Sequence, residues 1–231
     1  MRQSSHRSDS ASSLRSGHCL ADDELGGTSK ENPAMRRIGI VTSYALVMVF
    51  TLLHPASAQV LDFTTIDVPG ATATLPRDIN PAGDILGFYG VGAAFPNGFL
   101  IHQGIVTDFV VPGAVATRPR AINPQGDIVG QYSAGGTLHG FLLDKQGRLT
   151  TIEVPGASST GAFGINPEGD IVGQYSAGGI THGFLLDTSG SFTSIDVPGA
   201  SSTAAQGINP QGEIVGTYSA GGITHGFLAQ R

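Results

Sequence analysis

One cysteine, Cys19, occurs in 231 residues, and it lies outside the repetitive part of the chain. A disulfide framework is thereby excluded, as is a thiolate metal site within that part. Charged side chains are scarce, at 13%, and residues 59–231 hold a single lysine, Lys145. The same region has no HExxH, GxSxG or P-loop, and no GxGxxG after a strand, so it carries no enzyme signature. Its 13 acids and 6 bases give a formal net charge of −7. A surface of that sign repels a phosphate backbone and argues against a nucleic-acid role. Without covalent or metal staples, packing alone must hold the fold.

Glycine and proline are abundant instead, with 34 and 13 residues. Both disfavour helix interiors. An apolar fraction of 40% is too high for a disordered chain. Short strands joined by Gly/Pro turns fit this composition.

Residues 35–58 read MRRIGIVTSYALVMVFTLLHPASA. Arg36 and Arg37, an apolar run from Ile38 to Leu53, and Ala56-Ser57-Ala58 are the parts of a secretory signal peptide. Cleavage is expected between Ala58 and Gln59, giving a secreted protein, extracellular or periplasmic, with no membrane span. The alternative is a retained anchor, but the run is shorter than the roughly 20 residues that cross a bilayer. Residues 1–34 are Ser-rich and aperiodic, which predicts disorder. Signal peptides begin at a chain start, so Met35 is an alternative initiator and residues 1–34 a misassigned extension.

Everything after Gln59 repeats. VPG recurs with its proline at Pro69, Pro112, Pro155 and Pro198, and INP at Pro81, Pro124, Pro167 and Pro210, each 43 residues apart. GDILG, GDIVG, GDIVG and GEIVG follow, then Tyr89, Tyr132, Tyr175 and Tyr218. HGFL closes three copies at His139, His182 and His225, and NGFL stands at Asn97 in the first. Each copy divides into four strand-like pieces, in the third LTTIEV, STGAFGI, DIVGQYS and HGFLLD. The first alternates with period two, as a strand does. The last has both parities apolar, as expected where a sheet is sandwiched between others. NPxG places Pro and Gly as a type I turn prefers, and DKQG and DTSG make a second tight hairpin.

Four strands in 43 residues predict an all-β, four-bladed β-propeller over residues 59–231. PGASST is expected to cross between blades, which puts STGAFGI innermost, where Ala and Gly suit close backbone approach. The strand from Phe63 would then complete the sheet ending at Phe227 and seal the ring. A β-solenoid, or an open partial ring that pairs with another copy, are the alternatives.

The pattern Gly-Ile-Asn, Gly-x-Ile-Val-Gly-x-Tyr and His-Gly-Phe-Leu resembles the HAF family of extracellular bacterial repeats, named for a His-Ala-Phe motif. Gly140, Gly183 and Gly226 stand where that motif has Ala. The resemblance covers about residues 60–231 and implies an exported β-repeat protein, with no catalytic residues to transfer.

Three sets of residues are candidates for a site. Arg77, Arg118 and Arg120 break the repeat and could mark a patch for an acidic partner. Asp84, Asp127, Asp170 and Glu213 follow NPxG and could ring a cation such as calcium, although an acid beside such a turn also serves backbone N–H groups. No other cofactor is implied. The repeated histidines are read as capping a turn or packing beside Phe141, Phe184 and Phe227, because tetrahedral zinc needs converging ligands. Asn80, Asn123, Asn166 and Asn209 are read as turn residues.

The functional expectation is a non-catalytic binding or scaffold protein that holds an extracellular protein or glycan. The alternatives are a propeller enzyme with a site in the central channel, and a self-associating envelope protein.

Overall fold

The computed structural model describes residues 61–92 and 94–230. The expected signal peptide and residues 1–34 lie outside the described residues. Val60–Arg231 forms one compact unit. Among the described residues, no helix is long and apolar enough to cross a membrane.

Among the described residues the regular secondary structure is all strand, in four consecutive sheet units. The first holds β1 (Ala73–Ile79), β2 (Ile85–Val91), β3 (Ala94–His102) and β4 (Ile105–Phe109). The second holds β5 (Ala116–Ile122), β6 (Ile128–Ala134), β7 (Thr137–Leu143) and β8 (Leu149–Ile152). In the third are β9 (Ser159–Ile165), β10 (Ile171–Ala177), β11 (Ile180–Leu186) and β12 (Phe192–Ile195). The fourth has three strands: β13 (Ser202–Ile208), β14 (Ile214–Ala220) and β15 (Ile223–Ala229). Within each unit successive strands pair antiparallel, and a single parallel contact, Thr181 to Ser202, links the last two units.

Turn chemistry sets these boundaries. In the first NPxG turn the Gly83 N–H donates to the Asn80 carbonyl at 2.9 Å, and the other three turns repeat the bond. Gly135 and Gly136 both have positive φ, 58° and 79°, between the paired residues Ala134 and Thr137. That is the two-residue type I′ hairpin. SAGG therefore turns within a unit and PGASST crosses between units, so the third strand of the second, third and fourth units begins at Thr137, Ile180 and Ile223 rather than at the histidine. A unit also borrows its outermost strand from the next sequence copy: β12, FTSI, is the counterpart of LTTI.

The sheets between the two ends bury both faces. Phe184 and Leu185, adjacent on β11 and pointing opposite ways, are 0% and 8% exposed. Phe99, Phe141 and Phe184 are fully buried at one repeat position, each contributing about 1.5–3 kcal/mol by removal from water. Val129 and Ile165 of the third unit belong to one apolar cluster, and Val172 and Ile208 of the fourth to another. The inner strands β5, β9 and β13 lie against the preceding sheet, and a Cβ on Gly164 would meet Gly207 Cα at 3.1 Å. This is β-propeller-like stacking, with STGAFGI innermost as its composition predicts.

The ring does not seal as expected. Residues 61–68 form no strand, Phe63 is 91% exposed, and among the described residues β15 has a hydrogen-bonded neighbour on one side only. The single chain is an open, curled stack whose two end faces are bare.

The glycine of each GDIVG element sits where a side chain has no room. A Cβ on Gly173 would run into the Gly161 carbonyl oxygen and lie 2.8 Å from the Phe184 ring. Gly173→Ala is accordingly expected to destabilise the protein by about 1–3 kcal/mol, the usual range for overpacking. Urea unfolding would register a lower midpoint at unchanged slope; an unaltered midpoint would contradict the packing described.

Candidate functional site

Every inner strand contains one irregularity. The pairing register slips between Pro76 and Asp78, Pro119 and Ala121, Ala162 and Gly164, and Ala205 and Gly207. The extra residues are Arg77, Arg120, Phe163 and Gln206. A bulge releases its residue from the ladder and re-aims the side chain. All four occupy the same repeat position, and together they line a cavity of about 590 Å³. That size falls in the range of about 300–1,000 Å³ typical of small-ligand sites.

Positive charge is concentrated here. The Arg77 guanidinium lies 4.6 Å from the Phe88 ring centre, Arg118 lies 6.0 Å from the same ring, and Arg120 lies 5.4 Å from that of Phe163. Burial lowers the Arg120 pKa from its ordinary value, and the charges of Arg77 and Arg118 push the same way. The Arg120 Nε is buried without a hydrogen-bond partner. Among the described residues, the arginine paired with a carboxylate is Arg148, with Asp144 at 2.9 Å, and no ion pair neutralises the three inner ones. Half of the six bases of residues 59–231 thus converge in a domain that is otherwise acidic. Guanidinium groups with ring faces beside them suit an oxyanion, which they bind through paired N–H donors.

Of the three arginines singled out by their departure from the repeat, Arg77 and Arg120 line the cavity, and Arg118 lies outside its lining but shares the Phe88 ring with Arg77. Phe163 and Gln206 complete the lining and were missed. Their signal was present: the inner strands are where the copies diverge, and this position reads Arg, Arg, Phe and Gln.

The acids are used locally. Asn80 donates from Nδ2 to Asp84 at 3.0 Å and accepts the Asp84 N–H at 2.9 Å through its Oδ1. The same two-way bond ties Asn123 to Asp127, Asn166 to Asp170 and Asn209 to Glu213. Each acid is thus locked to its own turn through a side chain, and no group of three or more metal-ligating side chains forms among the described residues. The histidines differ from expectation. Their rings stack on Tyr132, Tyr175 and Tyr218, with centroids 5.0–5.1 Å apart, rather than packing beside the phenylalanines. His139 also contacts Glu153, and His182 contacts Asp196, both at 2.7 Å.

Two measurements check this geometry. Removing a half-buried cation with an unsatisfied Nε should relieve strain on the empty site. Arg120→Met is expected to raise stability by about 1 kcal/mol, read as a higher melting temperature in anion-free buffer; a lower one would contradict it. Asp84 is held below its usual 3.8, first by the His102 hydrogen bond and then by that of Asn80, against burial. A depressed carboxyl stabilises the fold above its unfolded value and loses that contribution as pH falls through the folded one. His102→Ala should therefore weaken the protein at about pH 5–6, with the difference from wild type closing below about pH 4. A gap that stays constant down to strong acid would refute the linkage.

No protein-family model and no curated protein matches the sequence. Among solved structures, the chain is similar to TolB from Acinetobacter baumannii, with 18% identity and a TM-score of 0.54 over 68% of this chain and 41% of TolB. A streptogramin B lyase, at 18% identity and TM-score 0.43, covers 70% of this chain and 56% of its own. Virginiamycin B lyase from Staphylococcus aureus, at 16% and 0.44, covers 70% and 57%. The chain thus spans about half the length of the structures it matches, and the TolB likeness shows a β-propeller-like fold.

Proposed function

We propose that the chain is an exported, non-catalytic binding protein of four propeller blades that holds the anionic group of an extracellular ligand at its inner-strand arginines. The observation that carries this reading is the placing of Arg77 and Arg120 on one cavity, with the charge of Arg118 close enough to act on Arg120 and no carboxylate paired with any of the three among the described residues. Like charges held together raise the energy of the empty site, and an entering oxyanion removes that penalty. The bulge residues around the cavity offer N–H donors, an amide and a ring, a lining suited to capture and orientation. The secretory segment at 35–58 and the HAF resemblance agree with a ligand met outside the cytoplasm.

The ligand chemistry fits a carboxylate or sulfate group, the planar or threefold oxyanions that guanidinium donors recognise in pairs. Thermal-shift titration with citrate and with sulfate is the direct test. Binding at 100 times the dissociation constant would add about 2.7 kcal/mol of stability. The shift should shrink in added chloride and be lost in Arg77→Gln and Arg120→Gln. An identical shift in those variants, or none in wild type with either anion, would overturn the reading.

A further inference from the structure

The fourth unit lacks three interactions that its repeat equivalents make, and one segment of the chain carries the missing partner for each. The Tyr132 hydroxyl meets Thr151 Oγ1 and that of Tyr175 meets Ser194 Oγ, both at 3.1 Å, while Tyr89 donates to Asp108 at 3.0 Å. Counting by the 43-residue step, the partner for Tyr218 is Thr65. His139 and His182 contact Glu153 and Asp196, which makes Asp67 the partner of His225. Phe192 meets Phe184 edge-on at 5.6 Å, and its counterpart for Phe227 is Phe63. All three partners fall within residues 63–67, which form no strand, and Phe63 is 91% exposed.

The first unit shows that histidine and acid change together. Where Val110 occupies the acid position, Asn97 replaces the histidine and donates to the Tyr89 hydroxyl at 2.9 Å. His225 follows the units that keep an acid.

The two end faces match in the same way. Val215, the equivalent of the fully buried Val129 and Val172, is 50% exposed, and Leu228 is 60% exposed. At the other end Ile79 is 61% exposed, whereas its equivalent Ile122 is 6%. Between neighbouring units these two positions share one apolar cluster, as Leu86 does with Ile122 and Val172 with Ile208. A Cβ on Gly140 or Gly183 would lie 3.0–3.1 Å from the carbonyl of the outermost strand, but on Gly226 it would meet only Gly216 O at 3.9 Å. Space for one more strand is open there.

We infer that two copies of this chain close one ring by exchanging strands. Residues 63–66 of each copy add to β15 of the other, and the bare face of the fourth unit packs on the first unit of its partner. The register follows from β11–β12: Ile66 opposite Gly226, Thr65 opposite Phe227, Thr64 opposite Leu228 and Phe63 opposite Ala229, by analogy with Ile195, Ser194, Thr193 and Phe192. Val68, 5% exposed with its N–H donating to Thr74 Oγ1, anchors the donor segment on the first unit, at the opposite end of the stack from β15. Each copy has one donor and one acceptor, so two reciprocal exchanges satisfy every edge, and a head-to-tail contact that returns on itself ends as a ring rather than a filament.

The experiment uses the complete sequence with Cys19→Ser, Thr64→Cys and Leu228→Cys, oxidised and run on a denaturing non-reducing gel. A covalent dimer that collapses to monomer on reduction is the expected product, with neither single-cysteine variant giving it. A circularised monomer would mean that each chain seals itself, and a ladder of higher species would mean open-ended exchange; either overturns the proposal, as does the absence of any cross-link. Light scattering on the unaltered chain gives a second reading that needs no substitution. A mass twice that of the chain supports the exchange, and a monomer mass refutes it.

Discussion

Each sheet in this protein is oily on both sides, and that constraint governs the rest. A sheet of this kind gains little by folding alone, because water still covers one face; it becomes stable when a neighbour covers each. The strands are short and the turns tight, so a unit cannot fold back over itself and must borrow cover from the next. Phenylalanines at a fixed repeat position fill the sheets, and apolar clusters such as the one that holds Val172 and Ile208 cement one sheet to another. An unbroken stack of this kind has two ends, and the ends are where the constraint is unmet. The three-stranded fourth unit and the bare first face are two expressions of one shortage.

Much of the fold could be read from the sequence because a repeat supplies internal comparison. Period two in LTTIEV, the double-sided apolar pattern of HGFLLD and the NPxG turns pointed to four strands per copy, a number the fourth unit falls short of by one, and the Ala and Gly of STGAFGI pointed to the innermost position. The glycine pair in SAGG could be assigned either to a hairpin or to a crossing until its two positive φ values made it a hairpin. Closure was misjudged for a physical reason: complementarity between Phe63–Ile66 and β15 is visible in the letters, whereas the curvature that decides whether one chain can join its own ends is set by how sheets stack.

The candidate site was half legible. Arg77, Arg118 and Arg120 stand out as departures from the repeat, but nothing in their spacing says that Arg77 and Arg120 are bulge residues turned out of the ladder. Phe163 and Gln206 are inconspicuous as residue types and become meaningful only once the register slip is seen. For the histidines, sequence neighbours suggested the phenylalanine two positions on, while cross-strand pairing places tyrosine directly opposite each ring: Tyr132 faces His139, Tyr175 faces His182 and Tyr218 faces His225.

The bulge has a consequence for how such a protein can change. A residue inside a ladder is restrained by partners above, below and beside it, so replacing it disturbs the sheet. A bulged residue has left that restraint, and its side chain answers only to what occupies the cavity. Four positions spaced along the chain can therefore be rewritten one at a time, with the scaffold untouched, to give the same architecture a different chemical preference. The assortment of Arg, Arg, Phe and Gln at this one repeat position is the trace such freedom leaves.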